Sequence, residues 1–108
     1  MKEAWLFTVQ RLSALVLAPL VLLHLGVILY AVRDGLSAEE ILARTQGSQL
    51  WGVVYGLFVF AAAIHAPIGL RAVLREWVGW RGAGLDIAMG LFGLLLLALG
   101  LRALAAVL

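Results

Sequence analysis

The sequence predicts an all-α integral membrane protein with three transmembrane helices, and three observations lead there. Of its 108 residues, 65% are hydrophobic and 13% charged, and the mean hydropathy is +1.09. A soluble domain this small leaves roughly 40% of its chain surface in water and needs far more polar cover. The apolar residues also gather into three runs, each near the roughly 20 residues that cross a hydrocarbon core. The connections between runs are short, so a single three-helix domain over residues 1–108 is expected.

The same composition excludes a soluble globular enzyme, a disordered tail and a nucleic-acid-binding module. Eight Lys and Arg are scattered along the chain, and a net charge of +2 makes no basic patch. With no cysteine there is no disulfide framework, thiol catalysis or Cys-bound metal.

The first span is expected over residues 12–32, with His24 its only strongly polar side chain. It is too long, and its flanks too charged, for a cleaved signal peptide, and no small-residue cleavage site follows, so it is expected to be retained. Ser37-Ala38-Glu39-Glu40 reads as a capping box that starts a short surface helix over about 38–44, and Gln46-Gly47-Ser48 ends it. The second span covers about 50–72 and again holds one histidine, His65. Gly79, Gly82 and Gly84 suggest a flexible turn, and the third span covers about 86–108, interrupted only by Arg102. Pro19 and Pro67 each free a carbonyl four residues back and predict mild kinks.

Lys2, Arg11, Arg71, Arg75 and Arg81 fall on the side shared by the N-terminus and the second loop; Arg33, Arg44 and Arg102 fall on the other. Positive residues favour the cytoplasmic side, which predicts a cytoplasmic N-terminus. Trp5, Trp51, Trp77 and Trp80 stand near span ends, where an indole prefers the headgroup layer.

Both histidines lie inside spans, where ionisable groups are expensive and usually functional. A neutral imidazole there can bind haem iron, or hydrogen-bond between helices. His65 shares its helix face with Ala61, Ala62, Gly69 and Ala72, a strip of small side chains that admits either a flat macrocycle or another backbone. Gly52 and Gly56 suggest close helix packing. His24 shares a bulkier face with Ser13, Leu17, Leu20 and Ala31. Counted from the span ends, the two histidines differ in depth by roughly 8–10 Å, so one haem is not held by both.

Two stretches resemble a known family. Trp5-Leu6-Phe7-Thr8-Val9-Gln10-Arg11-Leu12-Ser13-Ala14, continuing to Pro19-Leu20, resembles the start of the first helix in the succinate dehydrogenase and fumarate reductase membrane anchors, where a Trp precedes Gln-Arg-x-(Ser/Thr)-Ala. His65-Ala66-Pro67-Ile68-Gly69, followed by Val73-Leu74-Arg75-Glu76-Trp77-Val78, resembles the end of their second helix, His-x-x-x-Gly with a later acidic residue, aromatic and Val. The likeness is greatest to the smaller, D-type anchor of these complexes; the closely similar C-type anchor has a His-Arg-x-Ser-Gly version of the first motif.

The resemblance implies an anchor without covalent chemistry of its own, in a respiratory complex II-like succinate:quinone oxidoreductase of the tricarboxylic acid cycle. His65 matches the axial ligand of haem b, whose second imidazole comes from a partner C-type anchor. Arg11 and Ser13 match positions near quinone and the haem propionates. Glu76 and Trp77 stand where the family usually carries Asp and Tyr in the quinone vicinity; an indole donates a hydrogen bond but relays no proton. Relatives with two haems carry ligand histidines on both the first and second helices, which makes His24 the candidate ligand of a second haem. An iron–sulfur subunit and a flavoprotein subunit are the implied soluble partners, and Lys2, Glu3, Arg75 and Arg81 are either contacts to them or solvated ends. Arg71, well off the His65 face, either reaches a haem propionate or snorkels to the headgroups, snorkelling being the preferred reading, and Arg102 reads the same way. The absence of a presequence points to the cytoplasmic membrane of a prokaryote. The reading from another class is a haem-free scaffold in which both histidines only pack.

Overall fold

The computed structural model describes residues 2–108. It contains helix α1 (Lys2–Asp34), a short helix α2 (Ala38–Thr45), helix α3 (Gln49–Val73) continued by a π-helical turn (Leu74–Val78), and helix α4 (Ala83–Val107). The predicted spans and surface helix are all present, and each long helix is apolar and long enough to cross a membrane. Helix α1 overshoots its apolar run at the N-terminal end, where Lys2, Glu3 and Arg11 extend it beyond the 12–32 stretch. The molecule measures 47 × 24 × 22 Å, which matches a bilayer with its headgroup layers.

Helix α3 is the middle element, with α1 and α4 packed along it on either side. Very little is buried inside this layer: the enclosed apolar side chains are Leu17 and Ala31 of α1, Ala61 of α3, and Leu85 and Met89 of α4. Large residues such as Leu15 and Leu22 stand 71% and 70% exposed. A chain that satisfies its backbone inside helices and turns its leucines outward is built for an apolar solvent or apolar neighbours.

The α3–α4 seam is closed by glycines of α4. A Cβ on Gly100 would stand 2.5 Å from Val59 Cγ1, and one on Gly93 would stand 3.2 Å from both the Ala63 carbonyl and Pro67 Cγ. At Gly52 and Gly56, the glycines expected to pack closely, an added Cβ would stand 3.5 Å from Leu108 and 3.9 Å from Leu104, ordinary contact distances. The close approach therefore comes from the partner helix. Both prolines lie inside unbroken helices, and Pro67 is buried against Gly93.

The ends are capped as the turn chemistry demands. Ser37 Oγ accepts from Glu40 N at 3.2 Å and starts α2. The Glu40 carboxylate does not return to a backbone N–H as a full capping box would; it accepts the Ser37 hydroxyl at 3.0 Å. Ser48, expected only to end the surface helix, is the N-cap of α3 and accepts from Trp51 N. Gly79 (φ 78°) and Gly82 (φ 98°) make the second turn in backbone conformations that side chains disfavour. Gly84 lies inside α4 instead. At the far end, Thr45 Oγ1 donates to the Val107 carbonyl at 2.7 Å and Gly47 N donates to the Leu108 carbonyl at 3.2 Å, which satisfies carbonyls that a helix end leaves free.

Candidate functional site

The register of α1 against α3 brings Ser13 to His65. Ser13 is buried, at 7% exposure, on the α1 face that also carries the buried Leu17 and Ala31, whereas His24 on that face is exposed. Ser13 Oγ lies 3.1 Å from His65 Nδ1 and 2.9 Å from the Gln10 carbonyl. One turn along, a Cβ on Gly69 would come within 3.0 Å of Gln10 Nε2. The small-residue strip beside His65 thus admits the side chain of Gln10 at this point. Gln10 Oε1 is itself a buried acceptor with no hydrogen-bond partner among the described residues. Sequence reasoning places Gln10 in the first-helix motif without giving it a role; its position three residues before Ser13, on the same face, is the signal that could have found it.

His24 has other company. Its ring packs on Phe58 with centroids 5.1 Å apart and stands edge-on to Tyr55 at 6.1 Å; Tyr55 in turn stacks on Trp51 at 5.3 Å. His24, Tyr55 and Phe58 border a groove of about 250 Å³ between α1 and α4, floored by Val59 and Gly100. Ser13 and His24 are eleven residues apart on α1, and Tyr55 and Phe58 precede His65 by ten and seven on α3. At about 1.5 Å per residue, the histidines are offset by roughly 11–16 Å. That is more than counting from the span ends gives, because the relative slide of two helices is invisible to hydropathy. One iron cannot take both rings.

Above His65, towards the N-terminal end, the charges form one network. Arg71 grips both oxygens of Glu3 at 2.9 and 2.8 Å and donates through Nε to Asp86 at 2.8 Å. Arg75 pairs with Glu3 at 2.6 Å, and Lys2 pairs with Asp86. The fork geometry of a guanidinium suits this two-carboxylate clamp. Arg71 therefore does not snorkel: its side chain is only 11% exposed and ties α1, α3 and α4 together. Lys2, Glu3 and Arg75 also pair within this network, while the side chains of Lys2 and Glu3 stay 59% and 52% exposed. Such a network requires the N-terminus and the second turn to lie on one side of the membrane, as the span count demands.

A pocket of about 380 Å³ opens beside this network, bordered by Gln10, Ile68, Arg75, Glu76 and Arg81. Of the residues expected near quinone, Glu76 reaches it. Arg11 lies over the Phe7 ring at 5.4 Å, Trp77 is 83% exposed on the π-helical turn, and Ser13 is engaged with His65. Arg81 makes no ion pair with the described residues.

No group of three or more His, Asp or Glu gathers among the described residues in a way that could hold a metal ion unaided. The donor set suits half of a haem site. One imidazole stands within a span, held at Nδ1 by a neighbour, with its second nitrogen left for a ligand. A second imidazole ligand would have to come from another chain, because the only other histidine is a long way down the bundle.

No curated protein and no solved structure matches the chain significantly. The family model for the succinate dehydrogenase/fumarate reductase transmembrane subunit matches residues 1–101, nearly the whole chain and both quoted motifs. This three-span membrane protein belongs to the succinate dehydrogenase/fumarate reductase transmembrane subunit family.

Proposed function

We propose that the chain is a haem b-bearing anchor of a succinate:quinone oxidoreductase and that His65 provides one axial nitrogen, the other coming from a second anchor of the C type. The observation that carries this reading is the tethered His65 imidazole within a span. Ligand histidines nearly always hand their other nitrogen to a hydrogen-bond partner. His65 has one in Ser13; His24 has none among the described residues, only aromatic rings. That contrast favours one haem, with His24 as a packing residue. When bound, the haem would accept and return single electrons, at a potential set by its axial ligands and burial.

The chain's own residues have separable tasks. His65 ligates. The Glu3–Arg71–Asp86 clamp holds the three helices at the N-terminal end, where the iron–sulfur and flavoprotein subunits would dock on the cytoplasmic side of a prokaryotic membrane. The neighbouring pocket is large enough for a quinone ring. There Arg75 or Arg81 can donate to a quinone carbonyl. Glu76 and Trp77 replace the expected Asp and Tyr, and Trp77 supports an interfacial anchor better than a proton relay.

A dithionite-reduced minus oxidised spectrum of the purified complex tests the proposal against a haem-free scaffold. The expected result is b-type absorbance; a featureless difference spectrum would leave only the anchor.

A further inference from the structure

We infer that Ser13 is a positioning residue for His65: its hydroxyl selects the His65 tautomer with the proton on Nδ1 and leaves the Nε2 lone pair for iron. This rests on the reading of His65 as the haem ligand and gives Ser13 a role apart from the quinone contact that the resemblance implied.

A hydroxyl carries one proton and two lone pairs. Ser13 Oγ is 2.9 Å from the Gln10 carbonyl, which can only accept. Unless the proton lies between them, two oxygens present lone pairs to each other at hydrogen-bond distance. Donation from a helix serine to the carbonyl three or four residues back is the usual arrangement in an apolar setting. With its proton spent there, Ser13 Oγ offers His65 a lone pair at 3.1 Å, so Nδ1 must be the donor. A neutral imidazole has a single N–H, and Nε2 is then the bare nitrogen. Ser13 is buried, so water does not compete for either bond. The bond also fixes the ring's rotation and raises its basicity as a ligand.

Two measurements test this. In the assembled complex, Ser13→Ala should raise the midpoint potential of the haem, because a less basic imidazole stabilises the ferric state less. Ser13→Thr, which keeps the hydroxyl, should restore it, and the quinone KM should not move in either variant. An unchanged potential in Ser13→Ala, or a changed KM with the potential fixed, overturns the inference. If Ser13→Ala fails to assemble, the second measurement decides. It is the ring ¹⁵N spectrum of the full chain in bilayers without haem, with His24→Ala leaving a single histidine. The expected signals are a protonated Nδ1 and a bare Nε2; the reverse tautomer overturns the inference. Retention of haem in His65→Ala would be a separate failure, that of the haem reading itself.

Discussion

His24 and His65 lie on facing helices of one bundle, and their surroundings divide the molecule into two halves. The His65 half is polar and tied: a serine holds the ring, a glutamine amide lies one turn away, and five charges from three helices close the end. The His24 half is held by shape: stacked rings, a glycine against a valine, and a threonine capping the Val107 carbonyl. A histidine among aromatic rings can remain neutral and do nothing more. A histidine whose nitrogen is bonded in a buried seam has a defined tautomer and direction, which is what a metal ligand needs.

Substitutions on either side should fail in different ways. The largest structural effect is expected at Arg71. Arg71→Gln leaves Glu3 and Asp86 facing each other without their shared cation. The thermal midpoint of the complex in detergent should fall by several degrees and the soluble subunits should detach more readily. An unchanged midpoint would show that the clamp contributes nothing.

In the His24 half, Gly100→Ala should cost about 1–3 kcal/mol, because its Cβ would collide with the stiff β-branched side chain of Val59. Gly90→Ala is the control: its Cβ meets nothing within 4 Å, so the change should be neutral or slightly stabilising. Equal losses in unfolding measurements would mean that the seam is looser than its contacts indicate. The smallest effect belongs to Thr45→Val, which keeps the shape and deletes the donor to Val107. About 1 kcal/mol is expected, with accelerated amide exchange confined to the last turn of α4. Exchange spreading to the His65 half would contradict the division.

How much of this is legible in the sequence follows the same division by distance along the chain. The spans, the surface helix and the buried face of α1 are readable because hydropathy and 3.6-residue periodicity are local. The Ser13–His65 contact joins residues 52 apart, and the Arg71–Glu3 pair residues 68 apart; both depend on how α1 slides along α3. Composition carries no trace of that register, so Arg71 reads as a snorkelling side chain until the helices are assembled. The small strip at His65 is visible as a face, but not that Gln10 fills part of it. Gly93 and Gly100 are likewise plain in the sequence, seven residues apart, yet their partner side chains on α3 cannot be assigned from one helix alone.

The measurement that bears most directly on the central claim is haem content per complex in the wild type, His65→Ala and His24→Ala. The account predicts one haem in the wild type, none in His65→Ala and one in His24→Ala. Haem retained in full after loss of the His65 imidazole would contradict it.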